Sequence, residues 1–141
     1  MPFLILVLLS GCASMQTTNP QNLQRVYSHN FETTWKVITE ILVREGSPLQ
    51  STDKESGLIH TGNIQDTWAI YNSRYSLTFF VSSVDIDKTR VIINPFYEAY
   101  FPGRVGTLQN GEWKQIRNKD KLIVDEFFKK LDSILISYPA S

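Results

Sequence analysis

Residues Tyr75 to Val81 set the strongest constraint on the fold. Tyr75, Leu77, Phe79 and Val81 alternate with Ser76, Thr78, Phe80 and Ser82. Successive side chains of a β-strand point to opposite faces, so this run offers one apolar face and one mostly polar face. Such a strand belongs to an antiparallel sheet covered on one side. The cover must come from elsewhere in the chain, and two segments have the right periodicity. In Asn30–Glu45, Phe31, Trp35, Ile38 and Leu42 step by 4, 3 and 4, and Val37 and Ile41 widen the same helical face. Ser28 or Asn30 can cap its start, and Gly46 and Pro48 stop it. In Lys119–Ser137, Ile123, Phe127, Leu131, Ile134 and Tyr138 step by 4, 4, 3 and 4, with Asn118 or Asp120 as cap and Pro139 as stop. Helices that each bury one face against one face of a sheet make a two-layer α+β domain.

The rest of the sheet is read from shorter signals. Pro48–Thr52 and Leu58–Thr61 flank Asp53-Lys54-Glu55-Ser56-Gly57, a tight turn in which Gly57 is free to take positive φ. Asp87-Lys88 is a turn into a strand over Thr89–Tyr97, where Pro95 implies a break or an edge. Asn110-Gly111, between Leu108 and Trp113, is a hairpin signal. Asn63–Asn72 fits an irregular strand or an inserted loop. The 141 residues suffice for one domain with its own core, and 42% hydrophobic with 20% charged residues is ordinary globular composition.

The N-terminal segment has a different character. Phe3–Leu9 is an unbroken run of seven apolar residues, too short to span a bilayer and at the lower limit of a secretory signal. Leu9-Ser10-Gly11-Cys12 follows, and Cys12 is the only cysteine. This stretch resembles the lipobox of bacterial lipoproteins. The resemblance implies that Cys12 receives diacylglycerol, that signal peptidase cuts before it, and that the new amine is acylated with a chain such as palmitate. Two or more acyl chains hold a protein stably on a membrane. One departure from the pattern is that Met1-Pro2 supplies no Lys or Arg. Ala13, where inner-membrane lipoproteins carry Asp, implies the outer membrane and its periplasmic face. Residues 13–24 are uncharged and poor in apolar side chains, as in a tether. The expected organisation is therefore a signal peptide at 1–11, the lipidated cysteine and flexible tether at 12–24, and a single α+β domain at 25–141.

Within that domain the pattern F-x3-W-x2-I-x3-L from Phe31, then E-G-S-P-L from Glu45, then D-x3-G-L-I-x-T from Asp53 to Thr61, precedes Arg74-Tyr75-Ser76-Leu77 and a closing amphipathic helix. Together these are similar to the helix-grip domains of BamC (NlpB)-type outer-membrane lipoproteins. The resemblance covers roughly residues 30–138 and implies a curved antiparallel sheet around a long C-terminal helix. That family carries a long N-terminal segment and two such domains; here the tether is short and one domain follows, so the resemblance does not imply membership of the β-barrel assembly machine.

Catalytic patterns are sparse. The zero net charge, from 14 basic and 14 acidic residues, argues against general nucleic-acid binding. One cysteine excludes an intramolecular disulfide and a Cys-cluster zinc site. No phosphate loop, nucleophile elbow or zinc-helix motif is present. His29 and His60 read as satisfied or surface histidines, Asp53, Gly57, Asp85 and Asp87 as turn residues, and Arg74 and Arg104 as surface ion-pair partners. No metal or cofactor is expected. The segment Asn94–Arg104 stands out: Phe96, Tyr97, Tyr100 and Phe101 lie between Pro95 and Pro102, with Arg104 beside them. Aromatics with an arginine are what protein interfaces concentrate. Either these aromatics fold onto the core, or they form a surface for a partner, lipid or peptide. The leading expectation is a non-enzymatic interaction or assembly module with an envelope protein as partner. The alternative is a binder of a small hydrophobic ligand or lipid between the sheet and the C-terminal helix, gated by Phe96–Phe101. An enzyme using His60 is the weakest option.

Overall fold

The computed structural model describes residues 23–66, 72–104, 106 and 110–140. The signal and cleavage motif (Leu9, Ser10, Gly11), Cys12 and most of the tether therefore lie outside the described residues, as do residues 67–71 of the ambiguous Asn63–Asn72 segment. The architecture is α+β. A seven-stranded antiparallel sheet carries one helix from near the N-terminus and one from the C-terminus. The elements in chain order are β1 (Gln24–Tyr27), α1 (Phe31–Arg44), β2 (Leu49–Asp53), β3 (Leu58–Thr61), β4 (Ile64–Gln65), β5 (Ser73–Asp85), β6 (Lys88–Phe101), β7 (Glu112–Gln115) and α2 (Asp120–Leu135). The strand order is β1-β6-β5-β3-β2, with β4 also on β5 and β7 also on β6.

The central hairpin extends well beyond its sequence signal. β5 pairs with β6 from Ser73↔Ala99 to Asp85↔Lys88. The turn at its tip is held by the Asp85 carboxylate, which accepts from the Ile86 amide at 2.7 Å. Pro95 does not break β6. The Tyr97 carbonyl accepts from the Ile116 amide at 2.9 Å, so the backbone of Tyr97, and of Pro95 two residues earlier, faces away from β5. On that far edge β1 covers Thr89–Ile92 and β7 covers Glu98–Phe101. Pro95 sits in the gap between them, where no strand asks for its missing N–H.

The expected turn at Asp53–Gly57 is present. The Asp53 carboxylate accepts from the amides of Glu55 (3.1 Å) and Ser56 (3.3 Å), and hydrogen bonding by Ser56 holds its pKa below the usual value. Gly57 adopts φ +70°. The Asn110-Gly111 expectation needs correcting. Phe101 pairs with Glu112, so Asn110-Gly111 directly precedes β7 and is not a two-residue turn between paired strands. Leu108 lies outside the described residues. Gly111 instead makes room for a neighbour: a Cβ there would fall 2.0 Å from the Tyr100 hydroxyl.

Both helices cover the same face of the sheet, in one hydrophobic cluster. α1 contributes Trp35, Val37, Ile38, Ile41 and Leu42, and α2 contributes Val124, Phe127, Phe128, Leu131 and Leu135. The sheet adds Ile59, Leu77, Phe79, Val81, Val91 and Ile93. Each such side chain fully buried stabilises by about 1.5–3 kcal/mol. Asn30 caps α1, accepting from the Thr33 amide at 2.9 Å. α2 has no such cap: Lys119 holds the N-cap position, and neither Asn118 nor Asp120 supplies a capping bond. Its buried stripe is centred one position beyond the expected one, with Ile123, Ile134 and Tyr138 only partly buried at its margin.

Strand β1 begins at Gln24, the residue expected to end the tether, and Leu23 already packs against the core. Its inward side chains fasten it to α2. Tyr27 donates to one Asp132 oxygen at 3.0 Å, and Arg25 bonds the other. The Arg25 guanidinium also lies 4.7 Å over the Phe128 ring.

Burial, together with Asp132, pushes the Tyr27 phenol well above its ordinary pKa, and burial raises Tyr75 and Tyr97 too. An unfolded chain would release these protons from about pH 10 upward, while the folded one retains them. Stability is therefore constant with respect to these groups below about pH 10 and falls above it. Urea midpoints across the alkaline range should decline there, and less steeply in Tyr27→Phe.

Candidate functional site

The period of two in β6 divides the aromatic segment between the two faces of the sheet. Phe96 (45% exposed) and Tyr100 point to the face without helices. Tyr97 points the other way and is buried, so it does not belong to an exposed patch. Phe101 lies at the end of the strand, with the Lys114 ammonium 5.7 Å from its ring, and Arg104 is exposed in the loop beyond. Phe96, Tyr97, Tyr100, Phe101 and Arg104 are thus neighbours in sequence but not members of one surface.

The open face gains residues that the segment alone did not indicate. Leu58, Phe80 and Ile92 pair across three adjacent strands and form one row. Val26 of β1 is also exposed there (54%). At the other end Tyr100 pairs with Trp113, their rings 5.4 Å apart and tilted. Arg74 stands between these groups. Its guanidinium lies 4.0 Å over the Trp113 ring, and its Nε donates to Glu98 at 2.9 Å. A cation over an indole is attracted to the ring face, and the ion pair is partly sheltered, so Arg74, Glu98 and Trp113 hold one another in place. His60 is on this face as well, its Nδ1 2.8 Å from the Thr78 hydroxyl. The Phe80 signal was visible in the sequence, as the one aromatic in an otherwise polar row.

On the helix side the sheet and α2 meet without space over most of their contact: Phe79 and Phe127 have ring centroids 4.7 Å apart, and Phe128 and Leu131 are fully buried. At one end the two separate into a cleft of about 460 Å³, lined by Gln65, Asp66, Tyr75, Tyr97, Lys119, Leu122, Ile123, Glu126 and Lys130. Tyr97 reaches it through its hydroxyl, which donates to Asp66 at 2.8 Å. Burial raises the pKa of Tyr97, and the Asp66 carboxylate adds to the shift against the opposing effect of the Ser73 hydroxyl. Tyr75 is raised first by burial and then by the carboxylates of Glu45, Asp66 and Glu126. The lining is therefore mixed, with two tyrosines, Leu122 and Ile123 beside four charged groups.

His29 lies apart from both sites, its Nε2 3.3 Å from the Tyr138 carbonyl. Among the described residues no group of three or more His, Cys, Asp or Glu side chains could hold a metal ion, and no helix is long and apolar enough to cross a membrane. No family model matches the chain, and comparison with curated proteins finds no match.

Proposed function

We propose that this chain is an outer-membrane lipoprotein, anchored through Cys12, whose α+β domain is a non-enzymatic protein-interaction or assembly module facing the periplasm. The anchor rests on the apolar run Phe3–Leu9 followed by Leu9-Ser10-Gly11-Cys12. The likeness to the BamC-type helix-grip domain rests on the motifs between Phe31 and Leu77 and on the order of helix, antiparallel strands and C-terminal helix.

The observation that carries the interaction reading is the open face of the sheet. Apolar and aromatic side chains there are held apart by Ser76, Thr78 and Asn94 and braced at one end by Arg74 and Glu98. Interfaces concentrate aromatic residues and arginine in this way, and an immobilised aromatic loses little entropy on binding. A partner envelope protein would lie on this face. The helix side would stay with the domain's own core. Site-specific photocrosslinking from Phe96 in the lipidated chain tests the reading, with Cys12→Ser as the variant lacking the anchor.

A further inference from the structure

The cleft between the sheet and α2 supports a second binding activity, independent of the open face. We propose that it binds a short zwitterionic peptide of about three residues, with the peptide's ammonium at Glu126 beside Tyr75 and its carboxylate at Lys119.

Four charged residues line the cleft: Asp66, Lys119, Glu126 and Lys130. Lys130 is taken by Glu45 at 2.5 Å, and Asp66 already accepts the Tyr97 hydroxyl. Among the described residues Lys119 and Glu126 make no ion pair. They cannot neutralise each other, because seven helical residues separate them by about 10 Å along the axis. Seven residues are also two turns, so both lie on one face of α2, with Ile123 between them.

That arrangement matches a ligand with opposite charges at its ends and an apolar middle. Three extended peptide residues span about 10 Å, and the 460 Å³ volume lies within the range of small-molecule sites, about 300–1,000 Å³. The two ends differ in the way the ligand requires. Around Tyr75 the carboxylates of Glu126, Asp66 and Glu45 outnumber the one ammonium there, that of Lys130, which Glu45 takes, so Glu126 is the carboxylate left to meet a ligand's ammonium. At the other end Lys119 holds the N-cap position of α2 without a side-chain cap bond, and Asp120 already stands in the first turn, so the Lys119 ammonium is the charge that a ligand's carboxylate would meet. Asp120 is not among the lining residues, and Arg117 is near enough to act against its charge.

The test is isothermal titration of the full chain, as the cell processes it, with the tripeptide alanyl-leucyl-alanine. Its N-acetylated, C-amidated and doubly blocked forms serve as comparisons. The free tripeptide should saturate the protein, and each blocked end should weaken binding about tenfold, the scale of one charge-assisted hydrogen bond. Lys119→Gln should abolish discrimination against the amidated form only, and Glu126→Gln against the acetylated form only. Both side chains are exposed, so both variants should fold as the parent does. Equal affinity for free and doubly blocked peptide would overturn the proposal. So would the absence of saturable binding at millimolar peptide, or unchanged discrimination in either variant.

Discussion

Alanine at position 57 should cost the domain about 2–5 kcal/mol, from left-handed backbone strain together with the loss of a hydrogen bond. Gly57 has φ +70°, which an L side chain rarely adopts. A Cβ there would also fall 1.9 Å from the Val81 carbonyl oxygen, a backbone atom that no rotamer change can move. The same two residues are tied by the Val81 amide, which donates to the Gly57 carbonyl at 2.8 Å. The turn can admit alanine only by pulling away from β5 and giving up that bond. Urea unfolding should show a lower midpoint with an unchanged slope. Gly46 is the internal comparison: its φ is +68°, yet no atom lies within 4 Å of the added Cβ. Gly46→Ala should therefore show only the strain, about 1–2 kcal/mol.

Phe128→Ala should be comparably damaging, at about 3–5 kcal/mol. Phe128 is fully buried on α2, and its ring also lies beneath the Arg25 guanidinium. The substitution leaves a cavity and removes the platform on which β1 meets α2. Domains of this kind are stable by about 5–15 kcal/mol in total, so the variant should lose a large share of its stability. Phe96→Ala removes a ring of the same size from the open face. Exposed substitutions away from special features usually change stability by less than about 0.5 kcal/mol. A large loss at Phe128 with little at Phe96 in the same urea assay would separate core from surface among the aromatic residues.

The long elements were legible because their periodicity extends over many residues. α1 matches its expected span to within a residue at each end, and β3 coincides with Leu58–Thr61. β1 has no legible signal, because four residues, Gln24–Tyr27, are too few to establish alternation, and because the inward pair Arg25 and Tyr27 is polar at its tips. What identifies β1 is a long-range partner, Asp132, which lies more than 100 residues away. Pro95 implies a break or an edge because a proline removes a donor, and the structure takes the second form, an uncovered stretch of edge between β1 and β7. Whether that donor is needed depends on which edge it faces, and only the placement of β1 and β7 decides this.

The candidate site was legible in part for a similar reason. An aromatic cluster is visible in sequence, but its division between faces depends on strand register, which put Tyr97 inside and Phe96 outside. Trp113 and Arg74 are distant in sequence from Phe96 and from each other, and only strand pairing brings them together. A site between the sheet and the C-terminal helix is among the sequence expectations, but the residues lining the cleft, from β4, β5, β6 and α2, share no sequence signal, and of the proposed gate Phe96–Phe101 only Tyr97 reaches it.

The most direct test of the proposed anchored interaction module is in-cell photocrosslinking from a photoreactive residue at position 96 in the chain with Cys12 intact, followed by mass spectrometry. The same residue at position 79, which is fully buried, serves as the control. The account predicts a discrete protein adduct from position 96, none from position 79, and loss of the adduct in Cys12→Ser, which should also leave the membrane fraction. Adducts only to lipid, or a protein adduct undiminished in Cys12→Ser, would contradict it.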